Sequence, residues 1–161
     1  MTPKFATMAE LERRMLSAAL EIADVDSLRT HLRRYLAVRR ERAGTLLDVV
    51  EVERRMERDE GTAMYVGCKA AALATAAPLE RAVACILKEL ERDLEKAPKG
   101  PEADARLMRW RLYGTGGAIA LLLDRLRPGW KPLVEQGMHL DQLLAQAVDF
   151  DPTKAVVAHP G

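Results

Sequence analysis

The chain has little that would hold it together or commit it to a chemistry from outside its own core. It has two cysteines, Cys68 and Cys85, too few for a disulfide framework or a four-ligand zinc knuckle. Aromatic residues are 4% of the total, and Val, Ile and Thr are sparse beside Ala and Leu, a balance that disfavours sheet. There is no excess of one charge. The 25 basic and 24 acidic side chains leave a formal +1, which gives no general attraction to nucleic acid or to an anionic membrane surface. No apolar run approaches the ~18 residues of a membrane span, and the amino-terminal stretch MTPKFATMAELERR has no unbroken apolar core of the signal-peptide kind. The three histidines form neither H-E-x-x-H nor the paired E-x-x-H of a dimetal carboxylate bundle. A cytoplasmic setting with free, buried thiols is therefore expected.

What is present is helical periodicity. Thr7 and Glu10 read as a capping box for a first helix over 7–23, with Met8, Leu11, Met15, Ala19 and Ile22 as its apolar stripe. The break Asp24–Ser27 precedes a second helix over 28–43, where Leu28, Leu32, Tyr35 and Leu36 share the surface with six arginines. A long third helix is expected over 46–77 with Gly61 and Gly67 inside it, then a clean amphipathic helix over 79–96 opened by Pro78. APKGPEAD (97–104) is loop-like, and a fifth helix runs over 102–126 to Pro128-Gly129. One or two short helices, near 131–136 and 140–148, close the pattern. The expected fold is an all-α antiparallel bundle built on the first, third, fourth and fifth helices, one domain over 1–150 with a loose tail at 151–161. A hairpin at Pro78 would bring Cys68 and Cys85 to levels differing by about 5 Å, which permits a bridge without requiring one.

Three constellations bear on function. In YGTGGAIA (113–120) the glycines follow a helical pattern instead of a strand and no Lys-Ser/Thr follows them, so Gly114, Gly116 and Gly117 read as a surface for close helix packing and not as a phosphate loop. The arginines of the second helix read as a solvated face paired with Glu51, Glu53 or Glu57. Finally, MERDEGTAMYVGCKAA (56–71) carries Glu57 and Glu60, which with Glu53 fall at i, i+4 and i+7 on one helix face. Three carboxylates on one face need solvent, arginine partners or a cation. They are thus either an arginine-paired face or a carboxylate pocket for a metal, with Glu60 next to a close-packing glycine and five residues before Tyr65.

EGTAMY resembles the helix that carries the third zinc ligand in gluzincin-type metallopeptidases. RLYGTGGAIALLLDRLRPGWKPLVEQG is similar to the helix that follows in such proteins, so that the loose match covers residues 50–145. The resemblance implies that Glu60 corresponds to the ligand glutamate and that Tyr113 lines the site. H-E-x-x-H is missing, and with it the histidine ligands and the general base, so the chain is expected to be a relative without the chemistry or the helical part of a larger protein. The expected function is a non-catalytic helical domain, structural or protein-binding, that uses no cofactor. It would associate with itself or another protein, and with neither nucleic acid nor membrane. The alternative is a metal- or small-molecule-binding protein that uses Glu53, Glu57 and Glu60.

Overall fold

A computed structural model describes residues 3–44, 47–91 and 103–153. All the regular structure among them is helical, as the sequence predicts. In chain order the helices are α1 (Pro3–Glu21), α2 (Val25–Ala43), α3 (Leu47–Met56), a π-helical turn (Glu57–Gly61), α4 (Thr62–Ala72), α5 (Pro78–Leu90), α6 (Ala103–Leu126), α7 (Lys131–Glu135) and α8 (Leu140–Ala147). Of the loop expected at 97–104, residues 97–102 lie outside the described residues and 103–104 already belong to α6; all of the tail beyond Thr153 also lies outside them. No described helix is long and apolar enough to cross a membrane.

The core centres on α6. Its run Ala118–Leu123 is buried all round and belongs to one apolar cluster with Leu16, Ala19 and Leu20 of α1, Leu28, Leu32 and Leu36 of α2, Ile86 of α5, and Leu140, Leu143 and Leu144 of α8. Each such leucine removed from water contributes about 2 kcal/mol before the entropy of ordering is counted.

Several sequence expectations are corrected. α1 starts at Pro3, so Thr7 is not its cap; Glu10 instead pairs with Arg13 and Arg14, both at 2.7 Å. Its buried face is Ala9, Glu12, Leu16, Ala19 and Leu20, and Leu11 is 44% exposed. Asp24 caps α2 by accepting a 2.8 Å bond from the Ser27 amide. α2 carries the expected arginine–glutamate pairs, Arg39 with Glu57 and Arg42 with Glu53, but these two arginines are buried, while Arg33, Arg34 and Arg40 are exposed. Its Arg29 and Arg33 also donate, both at 2.6 Å, to the Ala147 and Val148 carbonyls at the end of α8, where the helix lacks internal partners.

The long third helix is real in outline but not uniformly α. Its buried stripe is Val50, Glu53, Glu57, Gly61, Tyr65, Cys68 and Ala72. From residue 53 to 65 the spacing is four, three times over. At about 100° per residue, four residues overshoot a turn by about 40°, so three such steps would carry the stripe about 120° round an α-helix. The wider π turn over 57–61 takes up that overshoot and keeps one face inward.

That face then meets α6 at minimal distance. A Cβ on Gly116 would lie 2.8 Å from the Gly61 Cα, so the two backbones touch where both residues lack side chains. The neighbouring glycines seat α5. A Cβ on Gly114 would stand 2.9 Å from the Leu90 amide nitrogen, and one on Gly117 2.6 Å from the Ile86 Cδ1. The YGTGG segment is a helix-packing surface.

Candidate functional site: a buried ion network and the cavity beside it

The π turn and the glycine contact press α3 onto α2 and α6, and this places Glu53 and Glu57 indoors. Both are buried, at 2% and 1% exposure, with Arg39 and Arg42 of α2, Arg111 of α6, Glu12 of α1 and Asp141 of α8. Arg42 sits at the centre. Its Nε and Nη2 donate to Glu12 at 2.5 and 3.0 Å, and its Nη1 and Nη2 donate to Glu53 at 3.0 and 2.7 Å. Arg111 Nη2 donates to the same Glu53 at 2.5 Å. Arg39 forks onto Glu57, Nη1 at 2.9 Å and Nη2 at 2.5 Å, and Nη1 also reaches the Tyr35 hydroxyl at 3.3 Å. Arg54, one-third exposed, donates to Asp141 at 2.8 Å. Four carboxylates thus face four guanidiniums and the network is neutral, which is the condition for burying charge at all.

The pairings set the protonation balance. Burial pushes the Glu53 carboxyl up, but Arg111, Arg42 and Arg39 outweigh it and its pKa is lowered. For Asp141 burial is again the largest influence, outweighed by Arg39 and Arg54, so its pKa is also lowered. Glu57 goes the other way: burial raises it, and Arg39 offsets only part. Burial alone would lower Arg39, but Glu57, Asp141 and Glu12 together hold it well above its ordinary value. Tyr35 is raised chiefly by burial.

The metal-site expectation for Glu53, Glu57 and Glu60 does not survive in its geometry. Glu53 and Glu57 are joined by guanidiniums that occupy their oxygens and would repel a cation. Glu60 is exposed, turned outward because the π turn changes the angular step between residues 57 and 61. Among the described residues no cluster of three His, Cys, Asp or Glu side chains is placed to hold a metal ion. Tyr113, half-buried on α6, shares no hydrogen bond with Glu60. Tyr65 belongs to a second polar knot. Its hydroxyl donates to Asp124 at 2.8 Å, as do Lys69 at 2.7 Å and Trp130 Nε1 at 3.0 Å, tying α4 to α6 and to the start of α7. Trp130 also meets the Tyr65 ring edge-on.

The expected free thiols are likewise corrected: Cys68 and Cys85 form a disulfide that staples α4 to α5. The hairpin turn at 73–77 supplies the alignment, since the bridge closes only 17 residues of sequence.

Beside the network, an open cavity of about 320 Å³ lies between α2, α3 and α8. Leu36, Val50, Ala145 and Phe150 wall it with apolar surface, while Arg39, Arg40 and Arg54 supply cations and Asp141 one carboxylate. Arg39 Nε is buried with no hydrogen-bond partner, its nearest carboxylate oxygen, on Asp141, standing at 3.6 Å. The exposed Arg40 side chain makes no hydrogen bond or ion pair with the described residues. Among the described residues, no serine, cysteine, histidine or lysine lines this space.

Glu12, Arg111 and Asp141 were not singled out by the sequence reading. For Glu12 a signal exists: it lies three residues after Ala9 and four before Leu16, on the stripe that turns out to be buried. Asp141 sits in the first turn of α8, where a carboxylate suits the helix dipole whether or not it is buried. Arg111 carries no sequence mark of its own.

No protein-family model, curated protein or solved structure matches the chain.

Proposed function

We propose that this protein is a non-catalytic helical binding module that seats a small organic monoanion, a carboxylate with an apolar body, in the cavity between α2, α3 and α8. The reading rests on charge arithmetic at that cavity. Of the cations lining the cavity, Arg39 is matched by Glu57 and Arg54 by Asp141, with the half-exposed Glu51 outside the lining at 3.9 Å from Arg54; Arg40 has no ion-pair partner among the described residues and stands at the rim beside an unused donor on Arg39. One residual positive charge at the polar edge and Leu36, Val50 and Phe150 on the walls suit one carboxylate attached to a hydrocarbon. Among the described residues the lining offers no nucleophile–base pair, which favours binding over turnover. The ion network supplies a stiff floor, because each guanidinium fork fixes its partner in two directions.

Calorimetric titration with hexanoate, 1-hexanol and hexylamine tests this. Hexanoate is expected to bind and the other two to bind at least tenfold more weakly. Arg40→Gln is expected to weaken hexanoate about fivefold without lowering the melting temperature, since that side chain is exposed and holds nothing. Equal affinity for hexanoate and hexanol, or no binding by either, refutes the reading.

A further inference from the structure

The disulfide is not sealed in the core. It borders a second open cavity, of about 400 Å³, between α4 and α5. Its lining combines Cys68 and Cys85 with three alanines, Thr75, Arg81 and Lys88, and among the described residues no carboxylate. The two residues differ in exposure: Cys68 is buried at 3%, whereas Cys85 is half-buried. Arg81 and Lys88 stand four residues before and three after Cys85, on its own face of α5, and both are exposed. The small side chains at 71, 72 and 84 leave the room; the two cations give it a sign.

We propose that the Cys68–Cys85 bridge is an exchange site for small anionic thiols, which enter this cavity, attack Cys85 and remain on it as a mixed disulfide. The inference is independent of the ligand reading at the other cavity. The small thiol, as its thiolate, forms a bond to Cys85 Sγ. The Cys85–Cys68 bond breaks, and Cys68 leaves as a thiolate that takes a proton from water. A second small thiolate then attacks the mixed disulfide, releasing the small-molecule disulfide and the Cys85 thiol. Two small thiols are oxidised and the one protein disulfide is reduced, so electrons and protons balance. Cys85 is the sulfur attacked because it belongs to the more exposed residue of the pair and lies between Arg81 and Lys88 on α5. Arg81 and Lys88 raise the local concentration of an anionic attacker and hold its carboxylate or sulfonate at the cavity mouth. Opening the bridge frees α5 from its covalent tie to α4 while leaving Ile86 and Leu90 packed in the core.

The test compares 2-mercaptoethanesulfonate, 2-mercaptoethanol and cysteamine on the oxidised, full-length protein. Rates are expressed per thiolate, and adducts are located by mass spectrometry after alkylation. The anionic thiol is expected to react about tenfold faster than the cationic one, with its adduct on Cys85. In the Arg81→Gln/Lys88→Gln variant that ratio is expected to fall below twofold, while the rate with neutral 2-mercaptoethanol stays unchanged and so reports an intact fold. The proposal is overturned by charge-independent rates, by a preference that persists in the variant, by adducts on Cys68, or by two free thiols in the protein before any reductant is added.

Discussion

Each of the three longest helices at the heart of the molecule changes character along its length. α1 buries Glu12 at its middle and Leu16, Ala19 and Leu20 in its second half; α2 buries Leu28 and Leu32, then Arg39 and Arg42; α6 buries Arg111, then Ala118 to Leu123. The aliphatic halves meet one another and the charged halves meet one another. Aliphatic packing is tolerant: leucines of the right volume fit in many rotamers and at several registers. The charged half is intolerant, because a guanidinium placed one residue out of register leaves a carboxylate alone in the interior. The aliphatic half supplies most of the driving force for collapse, and the ionic half admits few ways of arranging α1, α2, α3 and α6 once collapsed.

The sharpest way to break this comparison is to remove one centre from each half. Arg42→Met leaves both Glu12 and Glu53 short of their main partner and is expected to cost about 4 kcal/mol in denaturant unfolding. Leu122→Ala in the aliphatic half is expected to cost about 3 kcal/mol through lost burial and a residual cavity. The two differ in whether they can be mended. Adding Glu12→Leu to Arg42→Met removes the stranded charge and leaves Glu53 with Arg111, so the double variant is expected to recover more than half of the loss. If the double variant is no more stable than Arg42→Met alone, the network does not work through charge matching.

A smaller effect is expected where the two halves join. Gly116→Ala gains about 1 kcal/mol of helix propensity but drives a methyl into the backbone at Gly61, and a net loss of about 2 kcal/mol is expected. Chemical denaturation measures it directly, and a stabilised Gly116→Ala would show that α6 and the π turn do not touch there.

The smallest effect is that of acid. Glu53 and Asp141 have lowered pKa values in the folded state, so their contribution is present above the ordinary carboxylate pKa and is lost as pH falls through the lowered ones. Glu57, raised in the folded state, opposes this: protonation there favours the folded form as pH falls through its own, higher pKa. Thermal melts from pH 6 downward are therefore expected to stay nearly flat until below about pH 4 and to fall after that. In Glu53→Gln that fall is expected to be shallower. A fall that starts at pH 6 would mean that other groups govern acid unfolding.

The same division explains what could be read in the sequence. The helical class, the hairpin at Pro78 and the packing role of Gly114, Gly116 and Gly117 follow from periodicity and spacing. The apolar stripe of α2 and the pairing of its arginines with Glu53 and Glu57 follow too. The burial of Arg39, Arg42 and Glu12 does not, because a periodicity rule that rewards apolar residues assigns arginine and glutamate to the solvent side by default. Arg39 and Arg42 are buried because carboxylates arrive from α1, α3, the π turn and α8, and no local pattern encodes that all of them meet. Glu60 was grouped with Glu53 and Glu57 on the assumption of a constant 3.6-residue turn, which the π segment violates. The disulfide was geometrically permitted, and only the actual separation of α4 and α5 decided it.

The π turn has one further consequence. It makes the segment between Met56 and Thr62 sensitive to length as well as to content. A π turn holds one residue more than a regular α-helix needs to carry the same face past this point. Deleting one residue there would let the backbone close into a regular α-helix with Tyr65, Cys68 and Ala72 still facing inward, because the roughly 100° removed with the residue is close to the overshoot that the turn absorbs. A regular helix at the present length would instead swing those three residues out of the core, so here the chain counts residues, and a deletion would be tolerated where one inside α3 or α4 would not.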